Sequence, residues 1–473
     1  MKGNPLFIID DEADAASLNT QINRNAKSSI NKYLDSIKTA TASSIYLQVT
    51  GTPQALLLQT IASGWRPYFT YYFKPGKGYL GGDFFFPSTN ERSDSIEFID
   101  KLSDPILEMV IRHIAVSAQI LEAGGKVSNA LVHPSVRQAV HEKYAKDIIE
   151  KLSWCKENLD GDFEKKIIQI YQDLNPQKMI KVGQKEYVIR AKNLLINDEI
   201  RILIMNGRNE VDSNDYSSGS NIIIGGNTLG RGVTFAGLHT IFYSRSSKKP
   251  QADTMWQHSR MFGYDRDPGM MRVYIDNRLY KLFADINATN NSIIAQVEKG
   301  SKDIKIYYPS NINPTRKNVL DNKHVDCITG GSNYYPSSPD NKSIDEITTL
   351  LNTFSDEEPF YQVSLRLVLT LFEHIIPSDD FNQSAFVAVI EAILAEKPAG
   401  QGVLIVRRNR DVAQGTGALL SPNDWNLGKK FPDKVVLTMY QVTGNKGWSG
   451  KQIWVPNIKL PEGVVYYDVS EDA

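Results

Sequence analysis

Apolar residues fall in short dense runs separated by longer amphipathic stretches. Pro5-Leu6-Phe7-Ile8-Ile9 is one such run, closed by Asp10. A short apolar run that ends in acid is the pattern of a fully buried parallel strand feeding a polar loop at its C-terminal end. Ile45 to Val49 repeats it, and between the two Ile30, Tyr33, Leu34 and Ile37 recur at helical spacing. The order is strand, helix, strand, as in a doubly wound sheet.

Asp104 and Pro105 form an N-cap and first-turn pair for an apolar-rich helix that runs to about Glu122 and is stopped by Gly124-Gly125. Beyond it the pattern predicts a strand at Ala130 to Val132, a helix from Ser135 to Trp154, and strands at Ile200 to Met205, Ile222 to Ile224, His239 to Tyr243 and Met271 to Ile275. That is a second α/β alternation. Past residue 320 the character changes. Asn333 to Lys342 is rich in Ser, Pro, Asn and Tyr, helices are predicted over 361–375 and 382–396, and strands over 403–407, 435–442 and 452–455. The expected fold class is α/β, with two parallel-sheet lobes, the first N-terminally incomplete, plus a C-terminal α+β domain. The expected boundaries are 1–103 for the part of the first lobe, 104–127 for a connecting helix, 128–320 for the second lobe and 321–473 for the accessory domain.

The 473 residues carry 53 Lys+Arg against 54 Asp+Glu, a net charge of -1, so any affinity for nucleic acid has to come from a local patch. Cys155 and Cys327 are the two cysteines, too few for a disulfide framework or a four-cysteine zinc site. A reducing, cytoplasmic setting fits them. No apolar stretch approaches the roughly 18 residues that span a bilayer, so no membrane partner is expected.

Candidate chemistry starts at Asp10-Asp11-Glu12-Ala13-Asp14. An acidic pair at the C-terminal edge of a parallel sheet is where Walker B residues sit, one carboxylate holding Mg²⁺ and the next orienting or deprotonating water in phosphoryl transfer. Asp11 takes the metal role and Glu12 the base; the competing reading is an acidic helix start. Thr50-Gly51-Thr52-Pro53 follows the next strand, where a helicase couples its nucleotide site to its second lobe, though alone it reads as a turn. Gly225-Gly226-Asn227-Thr228-Leu229-Gly230-Arg231-Gly232-Val233-Thr234 follows the strand at Ile222. Its glycines, Gly230 and Gly232 among them, let backbone N–H groups approach phosphate, and Arg231 can counter its charge; a glycine-rich turn without ligand is the alternative. On the helix that follows, Gln257 and Arg260 stand at i and i+3 and can face one partner. An arginine so presented can act as a finger on the γ-phosphate, and Arg266 is a further phosphate candidate. A solvated basic face is the alternative.

Four motifs in one order resemble the two RecA-like lobes of a superfamily 2 helicase or translocase. The wording is closer still to the family known as the Z-one domain, whose members carry an endonuclease label. That family has an upstream P-loop lobe, a strand end of Leu-Ile-Ile-Asp-Asp-Glu-Ala-Asp type, a Thr-Ala-Thr-Pro turn, a Gly-Gly-Asn-x-Leu-x-Arg-Gly-x-Thr loop and a Gln-x-x-Arg-x-Phe-Gly-Tyr helix. Here these read Phe7 to Asp14, Thr50 to Pro53, Gly225 to Thr234 and Gln257 to Tyr264, with echoes at Gly78 to Gly82 and Leu131 to Ser135. The resemblance implies a DNA-acting, ATP- and Mg²⁺-dependent helicase-like module of a restriction or phage-defence system, with DNA and other restriction-system subunits as partners.

Three departures qualify it. No G-x-x-x-x-G-K-[ST] occurs, so the lysine that grips phosphate is missing. The expectation is that it lies outside this chain, in a truncated reading frame or a separate P-loop-bearing polypeptide. Ser259 replaces the usual glycine before the motif arginine, and Asp265 replaces the family's last arginine, with Arg266 one residue later. Arg260 is therefore preferred to Arg266 as the finger. Two other classes stay open: a catalytically inactive DNA-binding or scaffold subunit, and an endonuclease with acids in the last domain, where Asp340-Asn341-Lys342 and Asp433-Lys434 are the fragments on offer. The aromatic stretch Trp65 to Phe86, interleaved with Arg66, Lys74 and Lys77, reads either as core or as a platform for single-stranded bases. Arg407, Arg408 and Arg410 form a further phosphate candidate beside a solvated strand end.

Overall fold

Strand β1 (Leu6–Asp11) pairs in parallel with β2 (Ser44–Val49), Leu6 opposite Ser44 and Asp11 opposite Val49, with helix α1 (Ser29–Lys38) between them in sequence. The two strands make a sheet of their own. Burial along them alternates, so the expectation of fully buried strands fails. Phe7 and Ile9 are 59% and 62% exposed and Ile45 64%, because only one face of this sheet meets the cluster of Ala13, Leu18, Leu56, Trp65 and Val319. Ile30, Tyr33 and Ile37 of α1 are exposed too, while Asn31 is buried and donates from its amide to the Ser17 carbonyl at 2.8 Å.

The structure, a computed structural model, describes residues 4–61, 63–87, 93–174, 182–206, 211–230, 232–247, 250–301, 304–378, 380–414, 420–448 and 450–469. The contacts divide the chain into Met1–Tyr72 with Thr289–Ala473, and Phe73–Ala288. The expected boundaries at 103/104 and 127/128 fall inside the second of these units. One reason is β3 (Ile96–Phe98), which pairs in parallel with β8 (Arg272–Ile275) and so takes residues of the expected first lobe into the sheet of the second. The expected boundary at 320/321 falls inside the first unit, where Val319 packs with Trp65 and Arg316 donates to the carbonyls of Asp14 and Ala15.

In Phe73–Ala288, β3, β4 (Val127–His133), β5 (Ile200–Met205), β6 (Gly219–Gly225), β7 (Leu238–Tyr243) and β8 form one sheet in the order β3-β8-β7-β4-β6-β5, every pair parallel. The central strands are buried along almost their whole length, as in a parallel sheet covered on both faces, and the polar residues they carry, Ser128, Asn129, Ser220 and Asn221 among them, are buried with them. Helix α2 (Pro105–Glu122) starts as its sequence predicts, the Asp104 carboxylate accepting from the Leu107 amide at 3.1 Å with Pro105 in the first turn. It is buried from Met109 to Gln119 and packs on β4 and β7 and on α3 (Gln138–Glu157), α4 (Asp162–Asp173) and α5 (Gln184–Ile196). The last two were not read from the sequence. A buried polar knot ties α2 to the sheet: Ser117 Oγ bonds Ser128 and Ser220 Oγ at 2.9 Å each, and Ser220 Oγ lies 3.0 Å from His113 Nε2. Cys155 sits in the same core, its thiol pushed up to about 12 by burial, which keeps it inert.

The C-terminal part carries a mixed five-stranded sheet, ordered Asn333–Tyr334, Ile453–Lys459, Val436–Val442, Gln401–Arg410, Tyr361–Ser364, in which only 401–410 and 436–442 run parallel. Helices 344–351, 365–373 and 383–396 supply Ile347, Val368, Phe372 and Ile390 to the core against Leu437, Met439 and Trp454. Strand Val464–Val469, absent from the sequence reading, pairs antiparallel with both 306–309 and 325–329. No helix among the described residues is long and apolar enough to cross a membrane.

Candidate functional site

Both strands of the small sheet end in chemistry. Asp10 accepts from the Tyr46 hydroxyl, and the buried Asp14 carboxylate accepts from Thr50 Oγ1 at 2.7 Å and Thr52 Oγ1 at 3.0 Å. The acidic turn and the Thr-Gly-Thr turn are thus one assembly at one sheet edge, with Gly51 between the two clamping threonines. Asp11 and Glu12 are left exposed; the Asp11 carboxylate accepts the Glu12 amide at 3.0 Å. Glu12 has φ 54°. Among the described residues five non-glycine residues have positive φ, and three of them are Asn or Asp, which tolerate that conformation. The other two are Glu12 and Arg260. Backbone held in a costly region persists only where its surroundings over-determine it, and such residues cluster at functional sites.

In Phe73–Ala288 the sheet's chain order reverses around β4, with β6 on one side and β7 on the other. Open α/β sheets bind ligands at the C-terminal ends of the strands at such a point. There β4 ends at His133, β6 at Gly225 and β7 at Tyr243, followed by Arg245. The His133 ring donates through Nδ1 to the Gly225 carbonyl at 3.0 Å; its Nε2 lies 3.4 Å from Arg245 Nη1, and His258 Nδ1 lies 2.6 Å from the same nitrogen. The two imidazoles stack, centroids 5.9 Å apart. Burial, then Arg245, pushes His133 down to about 3, so it is neutral; burial also lowers Arg245.

The glycine loop presses on this cluster. A Cβ on Gly230 would stand 2.1 Å from His258 Nε2, so that ring leaves no room for a side chain, and Gly232 has φ +70°, a backbone conformation that favours glycine. Arg260 Nε donates to the Leu229 carbonyl at 2.6 Å, fastening the end of helix α6 (Ala252–His258) to the loop. Gln257 is half-buried on α6. Arg231 lies outside the described residues. Arg266 parts from this group: its guanidinium pairs with the Asp265 carboxylate and donates to the carbonyls of Phe235 and Arg260 at 3.4 Å. It lines a cavity of about 530 Å³ with Gln119, Lys126, Gly237, His239 and Asp267, where β4 and β7 begin rather than end.

Sequence analysis does not single out His133, Arg245 or His258 as functional residues. The available signal was position, since His133 and Arg245 each close or follow a buried strand. Arg407 and Arg408, by contrast, are spent on structure: Arg407 pairs with the buried Asp424, and Arg408 donates to the carbonyls of Leu351 and Phe354 at 2.8 Å. Of the aromatic stretch, Trp65, Phe85 and Phe86 are core, whereas Tyr68, Phe69, Tyr71 and Phe73 are exposed. Among the described residues no three His, Cys, Asp or Glu gather as a metal site, so neither Asp340 nor Asp433 belongs to such a group.

Two families match the chain. Residues 106–314 match the Z1 domain, and residues 328–462 match the C-terminal domain of the restriction endonuclease CglI H-subunit. The likeness is to a restriction-endonuclease subunit. A solved structure described as the C-terminal domain of the CglI restriction endonuclease H subunit is 30% identical, covering 28% of this chain and 99% of its own, with a TM-score of 0.27. No curated protein matches.

Proposed function

We propose that the chain is a DNA-acting, helicase-like ATPase component of a restriction system. What carries the reading is the pair of strained residues: Glu12 and Arg260 take left-handed backbone, and each stands beside a sheet edge where parallel strands end. The two family matches, to the Z1 domain and to a subunit of a restriction endonuclease, support the restriction context. RecA-like architecture of the lobes belongs to the same proposal.

Asp11 would hold Mg²⁺. The ion keeps several waters and asks for one or two carboxylates from protein; Asp11 is exposed and its carboxylate accepts from the Glu12 amide alone among the described residues, so its remaining lone pairs suit that role. Glu12 would orient the attacking water. Within Phe73–Ala288, Gly230, Arg231, Gln257 and Arg260 would take phosphate charge; within the other unit, Thr50 and Thr52 would serve as the coupling turn through the Asp14 clamp. ATP also needs a grip on its β- and γ-phosphates that no lysine loop of this chain supplies. A P-loop-bearing polypeptide is the partner this reading requires, and the apolar face of Phe7, Ile9 and Ile45 is surface that a completed sheet would cover.

ATP hydrolysis by the purified chain, with and without DNA and with and without a P-loop-bearing fragment, tests the reading against Glu12→Gln. DNA-stimulated turnover abolished by Glu12→Gln is the expected result. No turnover under any of these conditions refutes it and leaves the non-catalytic DNA-binding subunit, which the missing lysine loop favours.

A further inference from the structure

We propose that Arg245 anchors a phosphate-oxyanion site at the C-terminal edge of β4, β6 and β7, its ligand being one phosphoryl group of a nucleotide or of a DNA backbone. The site belongs to residues 73–288 alone and stands or falls separately from ATP hydrolysis.

Arg245 is half-buried, and its side chain bonds two imidazole nitrogens, His258 Nδ1 at 2.6 Å and His133 Nε2 at 3.4 Å. No carboxylate pairs with it among the described residues. Since a guanidinium only donates, both of these ring nitrogens are acceptors. His133 therefore carries its proton on Nδ1, which donates to the Gly225 carbonyl, and His258 carries its own on Nε2, turned toward Gly230. The imidazoles orient the guanidinium and do not neutralise it. Its backbone is fixed as well, the Arg245 amide donating to the His133 carbonyl at 3.0 Å.

A cation withdrawn from water and held only by neutral acceptors is costly until an anion reaches it. Arginine's planar fork with unused donors is suited to a phosphate, and a charge-assisted pair there is the strong kind. The surroundings select the same chemistry. Glycine-bearing turns at the end of parallel strands bring backbone amides to phosphates, and here such a turn is locked against the cluster by Gly230 on His258 and by Arg260 on the Leu229 carbonyl.

The test is thermal unfolding of the whole chain titrated with inorganic phosphate against chloride at matched ionic strength, for wild type and Arg245→Gln. Phosphate is expected to raise the wild-type transition saturably, and Arg245→Gln to weaken the effect at least tenfold. Without phosphate, the variant is expected to unfold no earlier than wild type, because it removes an uncompensated charge while its amide still reaches His258. Equal responses of the two proteins to phosphate, or no response of wild type, overturn the proposal. Should Arg245→Gln fail to fold, imidazole NMR of wild type decides: His133 and His258 resonances must move with phosphate while the enclosed His113 does not, and their constancy overturns it. ATP and an oligonucleotide then replace phosphate. The one whose affinity drops tenfold in Arg245→Gln names the source, and if neither drops the site takes free ions only and the proposal fails.

Discussion

Replacing Thr52 with valine probes the joint that makes one assembly of the acidic turn and the Thr-Gly-Thr turn. Thr52 and Asp14 are each 1% exposed, and Thr52 Oγ1 donates to Asp14 Oδ2 at 3.0 Å while Thr50 Oγ1 donates to Oδ1 at 2.7 Å. Valine keeps the volume and removes the donor, so a buried carboxylate oxygen loses a charge-assisted bond, at a cost of about 2 kcal/mol. Asp14→Asn weakens the same bond from the other side. In a double-mutant cycle of the two, about 1 kcal/mol or more should appear as coupling, because the second change removes an interaction already lost. Urea unfolding of the whole chain, followed by fluorescence and circular dichroism, gives the three differences. Trp65 packs edge-on to Tyr46, whose hydroxyl holds Asp10, so the emission of that cluster reports the same edge. In a chain of two units the two probes need not coincide, and the transition that shifts is the one to compare. Thr52→Val costing under about 0.5 kcal/mol, or a cycle without coupling, refutes the clamp as a source of stability.

Gly230→Ala drives a Cβ to 2.1 Å from His258 Nε2 and should destabilise Phe73–Ala288 by about 1–3 kcal/mol, seen as an earlier urea midpoint; an unchanged midpoint refutes the tight contact. Glu12→Gly relieves left-handed strain at an exposed position, so the chain should be as stable as wild type or up to about 1 kcal/mol more stable while losing ATP turnover; clear destabilisation refutes strain at this residue. Burial pushes His113 and His133 down to about 3, so between that value and their unfolded value of about 6.5 the unfolded chain binds protons that the folded chain refuses. Their contribution is complete above about pH 6.5 and is lost as pH falls, about 4 kcal/mol for the pair between pH 7 and pH 5. Urea midpoints at the two pH values measure it, and His113→Gln should remove about half of the drop; a drop of undiminished size counts against the assignment.

Local pattern and tertiary structure divided this protein between them. Apolar runs such as Ile222 to Ile224, and helices with a cap, such as Asp104-Pro105, were legible because hydrophobic period and end chemistry act over a few residues. So were the acidic turn and the glycine loop, each of which directly follows a strand. Local pattern does not say what covers a strand. Leu6 to Ile9 reads as buried on both sides, yet among the described residues β1 has β2 as its single neighbour and exposes Phe7 and Ile9. Nor does it say which strand pairs with which: β3 joins β8 across more than half of the unit's length, a pairing that no local signal marks. Sites assembled from distant positions are hidden for the same reason. His133, Arg245 and His258 become one cluster because β4 and β7 are neighbours in register, with His133 opposite Tyr243, and α6 returns to their ends. Sequence alone therefore determined the elements and the chemistry at their ends, since these depend on neighbours along the chain. Burial, pairing and the arginine–histidine cluster were decided by the tertiary structure, since they depend on neighbours in space.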